Sequence, residues 1–98
     1  FMEKIIWTSE ATSNLQDIYD YIAIDNPNAA ISVVDSIIEK VEVLLEFPNI
    51  GYVYNKKNNF DIRIILFGHY RIAYIVDGQS IIILGVFHGA MDIDRYLN

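Results

Sequence analysis

Read for the spacing of apolar and polar residues, the chain changes character at Gly51, from a helical rhythm to a strand rhythm. Lys4-Ile-Ile-Trp-Thr8 is short and rich in strand-favouring residues, so it predicts an opening strand. Thr8 or Ser9 can then cap a helix, with Glu10 well placed at the positive end of its dipole. Ala11, Leu15, Ile18 and Ile22 recur at helical spacing, while Gln16, Asp17 and Asp20 fall off that stripe. Asn26-Pro27 stops one helix and starts another, because Asn caps well and the first helical position does not need an N–H. Ile31, Val34, Ile37/Ile38, Val41 and Leu44/Leu45 continue a wide apolar stripe up to Phe47-Pro48, where the residue before proline avoids helical angles. Two amphipathic helices with so short a link predict an αα-hairpin.

After Gly51 come a short strand at Tyr52–Tyr54, a polar loop at Asn55–Asn59, and β-rich runs at Ile62–Phe67, Tyr70–Val76 and Ser80–His88. Gly68-His69 and Asp77-Gly78 separate the runs, and Asp-Gly is a strong hairpin signal. A last turn of helix is expected over Asp92–Leu97. The predicted order is β-α-α-β-β-β: an α+β fold with helices on one face of a three- to four-stranded antiparallel sheet. A sheet with one face in water should alternate apolar with polar residues. Ile62-Arg-Ile-Ile-Leu-Phe67 and Ile81-Ile-Ile-Leu84 do not alternate; they are apolar on both faces. Two helices cover one face, so the other needs a second copy, the chain's own tail or a partner. Few residues remain for the tail, which favours a partner or a dimer.

Composition narrows the functions. Ninety-eight residues make one domain, read as 2–98 with Phe1 set aside. At 53% hydrophobic the chain is not expected to be disordered, and no apolar run is long enough for a membrane span. The absence of cysteine excludes disulfides and thiolate zinc sites; with no signal-peptide pattern, a cytoplasmic location is expected. The net charge of −6 is unevenly spread: residues 9–47 carry eight carboxylates against Lys40 alone, and residues 48–98 are close to balanced. Phosphate binding needs clustered cations, so direct nucleic-acid binding is not expected.

The order of motifs resembles the ParE/RelE toxin superfamily over nearly the whole chain. The resemblance rests on Leu15-Gln-Asp-Ile-Tyr-Asp-Tyr-Ile22, Asn26-Pro-Asn-Ala-Ala30, Pro48-Asn-Ile-Gly51, Ile62-Arg63, Tyr70-Arg-Ile-Ala-Tyr74 and Val86-Phe-His-Gly89. The first-helix and Pro-x-x-Gly features lie closer to the ParE branch, which includes plasmid-stabilisation proteins. The resemblance implies a toxin of a type II toxin–antitoxin system, neutralised by a cognate antitoxin that wraps it. RelE-like members cleave messenger RNA in the ribosomal A site; ParE-like members poison DNA gyrase without an established reaction of their own. An edge strand would offer main-chain pairing to the antitoxin.

RNA cleavage needs a base for the 2′-OH, an acid for the leaving oxygen and cations for the phosphorane charge. By resemblance, Met91 stands where an Arg is usual, Ala90 where a basic residue is frequent, and Phe67 where the RelE pattern has a cation before the strand turn. The tail position of the catalytic Tyr holds Leu97, with Tyr96 beside it. The resemblance therefore implies a binding toxin, with a ribonuclease using Arg63, Arg71, His88 and Tyr96 as the alternative and a non-toxic member as a third reading. Candidate contacts with target or antitoxin are Arg63, Tyr70, Arg71, Tyr74, His88 and Arg95. Structural readings stand beside several of these: Arg71 packing its stem on the sheet and His88 as a hydrogen-bonded strand-end residue, while His69, outside the set, reads as a solvated turn residue. No metal-ligand spacing and no cofactor motif is seen. A homodimer or a toxin–antitoxin hetero-oligomer is expected.

Overall fold

The computed structural model describes residues 2–89 and 93–97. Strand β1 (Lys4–Trp7) leads into helices α1 (Ser9–Ala23) and α2 (Pro27–Glu42), and a 3-10 turn follows at Val43–Leu45. Strands β2 (Tyr52–Lys57), β3 (Phe60–Phe67), β4 (Tyr70–Asp77) and β5 (Ser80–His88) precede a short helix, α3 (Asp94–Leu97). The α+β class and the αα-hairpin are as expected. The sheet is larger and mixed: five strands in the order β1-β5-β4-β3-β2, with β1 parallel to β5 at one edge.

Capping explains where the helices begin. The Thr8 hydroxyl accepts the Ala11 N–H at 3.1 Å, and Asn26 Oδ1 accepts the Ala29 N–H at 3.1 Å, with Pro27 opening α2. Thr8 also donates to the Ile83 carbonyl at 2.7 Å, so one side chain both starts α1 and ties it to β5. Strand β5 carries a bulge there: Tyr74 pairs with Ile83 and Ala73 with Gly85, leaving Leu84 as the extra residue. Asn14 Oδ1 accepts the Val86 N–H at 3.0 Å and holds the far side of the bulge.

Three boundaries differ from the sequence reading. The polar stretch Asn55–Asn59 is not a loop. Asn55–Lys57 extend β2, and the turn shrinks to Asn58-Asn59, both at positive φ (54° and 69°) as a two-residue type I′ hairpin requires. The Asp-Gly signal lies one residue off the loop, which is Gly78-Gln79 with Gly78 at φ 59°. Helix α2 proper stops at Glu42, and the chain tightens into the 3-10 turn before reaching Phe47-Pro48. Asp92 lies outside the described residues; the terminal helix starts at Asp94.

The sheet separates two apolar clusters. On the helical side Ala11, Ile37, Val41 and Leu44 pack against Ile65, Ile72, Tyr74, Ile81, Ile83 and Val86. On the other side Ile62, Ile64, Ala73 and Phe87 are covered by Ile93 and Leu97 of the tail, which are 3% and 5% exposed. The tail thus takes a larger share of the cover than its length led us to expect. Leu66 and Ile6 remain open at 57% and 40%. Because Leu97 seals that cluster, Leu97→Ala is expected to lower stability by about 2 kcal/mol, the low end for a buried leucine since a chain end relaxes readily. Thermal or urea unfolding checks this; an unchanged midpoint would show that the tail carries no packing energy.

Candidate functional site

The residues picked from the sequence sort into three places. The first is a brace on the helical side of the sheet. Tyr74 is fully buried in the central strand β4, and its hydroxyl donates to the Pro48 carbonyl at 2.7 Å while accepting the Gly51 N–H at 2.9 Å. Arg63, one strand over and paired with Tyr74, donates to the Asn49 and Gly51 carbonyls at 3.1 and 2.7 Å. A Cβ at Gly51 would come within 2.8 Å of the Tyr74 ring and hydroxyl, so the Pro48–Gly51 bend admits only glycine at its end. Tyr74 was expected on a binding surface; its burial assigns it to the interior instead. The Arg63 guanidinium is likewise committed to the loop backbone, with Asp61 3.9 Å away.

The second place is the corner of the sheet where β4 begins and β5 ends. Tyr70 and His88 are paired across these strands, their rings edge to face with centroids 5.8 Å apart. The His69 imidazole stacks over His88 at 6.3 Å, and the Gly89 N–H donates to the His69 carbonyl at 2.6 Å. The sequence identified His69 only as a solvated turn residue. What brings it to His88 is the two-residue Gly68-His69 loop, which has no signature beyond its glycine. Arg71 follows on the opposite face of β4, in register with Leu66 and Phe87. Two hollows meet here, of about 370 Å³ against Leu66, His69 and Arg71 and about 340 Å³ against Asp17, Ile18 and Tyr21 of α1; both include Tyr70 and His88. The corner offers aromatic and imidazole surface, one guanidinium and exposed Tyr21, a composition suited to gripping another macromolecule.

The third place is the tail. Tyr96 is 61% exposed, its ring 5.5 Å from that of Phe87, and it lines a hollow of about 440 Å³ with Glu10, Lys57, Phe60, Ile62 and Leu84. Arg95 is exposed beside it. The four residues of the ribonuclease alternative do not come together as a set: Arg71 and His88 line one hollow, whereas Tyr96 lines another and Arg63 lines neither. Arg71 and Tyr96 flank Phe87 on the tail side of the sheet, His88 turns to the helical side with Tyr70, and Arg63 is held by the loop. Ala90 and Met91 lie outside the described residues. Among the described residues no three His, Cys, Asp or Glu side chains are grouped to hold a metal, and no helix is long and apolar enough to cross a membrane.

Residues 5–93 match the family model for the ParE toxin of the type II toxin–antitoxin system parDE. A chain of the chromosomal ParDE toxin–antitoxin system from P. aeruginosa is similar at 26% identity, with TM-score 0.71, covering 89% of this chain and 96% of that one. A chain of the RelBE2 toxin–antitoxin complex from Mycobacterium tuberculosis shares the fold at 20% identity, with TM-score 0.60, covering 90% of this chain and 99% of that one. No curated protein matches the chain.

Burial pushes the Tyr74 hydroxyl above its ordinary value, against the opposing pull of the Gly51 N–H and the Arg63 charge. The protonated phenol is therefore favoured by folding. Its contribution is complete below the ordinary tyrosine pKa of about 10 and is lost as pH rises through the higher folded value. Tyr74→Phe leaves the buried Gly51 N–H without its acceptor, so a loss of about 1–3 kcal/mol is expected at neutral pH. Urea melts from pH 7 to 11 should show the wild type losing more stability above pH 10 than Tyr74→Phe; parallel curves would refute the brace.

Proposed function

We propose that this chain, which belongs to the ParE toxin family of type II toxin–antitoxin systems, is neutralised by a cognate antitoxin and, when released, disables DNA gyrase by binding it. The observation that carries this over RNA cleavage is the scatter of the candidate catalytic groups. A base and an acid must each come within hydrogen-bond reach of one reacting phosphate, and His88 and Tyr96 project from opposite faces of the sheet. The charge supports the same reading: a chain of net −6 gathers few cations to neutralise RNA phosphates. A protein target requires no such neutralisation. It requires a preorganised patch of aromatic and arginine side chains, which Tyr70, Arg71, His69 and His88 supply at the corner. We place the activity in the cytoplasm, where both antitoxin and gyrase would be met.

Purified chain assayed with gyrase and relaxed DNA is expected to block supercoiling, and Arg71→Ala or His88→Ala to raise the inhibitory concentration about tenfold without loss of fold. Incubation with translating ribosomes and mapping of RNA ends should show no new termini. Codon-phased cuts in the A site would replace this reading with a ribosome-dependent ribonuclease. Toxicity that appears only in Met91→Arg, and not in the parent, would mark an inactive member of the family.

A further inference from the structure

The two outer edges of the sheet are guarded. Strand β2 has a register shift between Val53 and Asn55 and then Asn55, Lys56 and Lys57, while β1 is four residues long and opens with Lys4. Bulges, lysines and shortness are the ordinary means of discouraging unwanted strand pairing. The end of β3 has none of these. Its pairing with β2 ceases at Tyr52 and Ile64, whereas its pairing with β4 continues to Phe67 and Tyr70. Ile65, Leu66 and Phe67 therefore have a strand on one side only. In a two-residue hairpin the closing pair exchanges both hydrogen bonds and pairs alternate from there, so Leu66 turns its N–H and C=O to the open side.

The gap is built by the brace already described. Tyr74 and Arg63 draw Pro48–Gly51 under the sheet, and so remove the chain that would have continued β2 alongside Leu66. What is left is a cleft of about 290 Å³ between β3 and the end of α2. Val43, Ile50, Tyr52 and Leu66 line it and stay 39%, 58%, 50% and 57% exposed. Glu39, Glu42 and Glu46 bracket Val43 along the helix, against Lys40. A second copy docked here about a two-fold axis would set these carboxylates against their own counterparts. A basic guest meets no such repulsion.

We propose that the open end of β3 takes an extended segment of the antitoxin, hydrogen-bonded to Leu66, apolar at alternate positions to fill the cleft, and lysine- or arginine-bearing where it passes α2. The proposal rests on the toxin–antitoxin reading and adds the place, the strand geometry and the charge of the guest. It also gives neutralisation a route. Leu66 lines both this cleft and the corner hollow that holds His69, Tyr70 and Arg71. A segment laid along the edge ends beside the surface proposed to grip the target.

The test uses the full chain and the protein encoded beside its gene, with affinity measured by titration calorimetry and amide protection by hydrogen exchange. Leu66→Pro removes the outward N–H and leaves the bonds to β4 in place; Val43→Glu puts a charge in the cleft. Each is expected to weaken binding about tenfold or more, and Gln79→Ala, at the opposite end of the sheet, to leave it unchanged. Glu39→Lys with Glu46→Lys should slow association and flatten its salt dependence. In the wild-type complex the Leu66 amide should become protected, a readout independent of how the variants fold. Tight binding with no protection at Leu66 and wild-type affinity in both variants would overturn the docking site and leave the toxin reading standing. No binding by the wild type would remove both. Dimerisation of the chain alone, abolished by Val43→Glu, would assign the cleft to a second copy and overturn the proposal.

Discussion

A sheet that is apolar on both faces has to be covered twice, and this chain has one helical layer to do it with. Burying apolar surface contributes roughly 25 cal/mol for each Å² removed from water, so neither face can be left to solvent without a substantial loss. The helical side is settled by the αα-hairpin and the 3-10 turn after it, whose Ala11, Ile37, Val41 and Leu44 are fully buried against β3, β4 and β5. The other side is settled locally: Ile93 and Leu97 cover Ile62, Ala73 and Phe87, and the cover thins out towards Leu66. Self-cover and partner cover are thus not alternatives here. The tail shields the middle of the face, and apolar surface is left open on β1 at Ile6 and, most of all, at the end of β3 around Leu66.

That end is defined by a polar device in the core. A tyrosine hydroxyl in the middle of a sheet must find partners for both its proton and its lone pairs, or its burial is unfavourable. Tyr74 finds them in the Pro48 carbonyl and the Gly51 N–H, and the solution determines where the backbone goes next. Arg63 satisfies the two carbonyls that the same bend exposes. The bend keeps Ile50 and Tyr52 on the surface and stops β2 short. One set of hydrogen bonds thereby fixes the loop, opens the neighbouring strand and presents the apolar side chains beside it.

How much of this the sequence displays depends on the range of the interaction. Local signals were legible: the Thr8 and Asn26 caps, the helical stripes and the strand runs all lie where spacing and residue type place them. Interactions between distant residues were not. Lys4–Trp7 reads as a strand, but nothing in it says that it pairs in parallel with residues 80–83. Lys56-Lys57 reads as a loop because polar residues at an exposed edge look the same whether or not they are paired. The Tyr74–Arg63 brace joins positions 12 to 26 residues apart, and its members were seen as surface candidates because tyrosine and arginine are also the commonest interface residues. His69 escaped for the opposite reason. Its partner is supplied by strand register, which appears only once β4 and β5 are aligned.

The charge distribution bears on which partners the chain draws towards itself. Eight carboxylates on residues 9–47 surround the helical side, and the cations of the second half are dispersed: Lys56 near Asp61, Arg63 on the loop, Arg71 at the corner, Arg95 on the tail. Such a field repels a polyanion over about a Debye length, some 8–10 Å at physiological salt, and attracts a basic segment over the same distance. Surface attraction of this kind adds more to the rate and choice of association than to its final strength. In the docking proposed here, affinity comes from the apolar cleft and the open peptide groups of β3, whose contacts act at short range. The basic-flanked protein segment proposed above would be selected by charge at a distance and held by burial at contact.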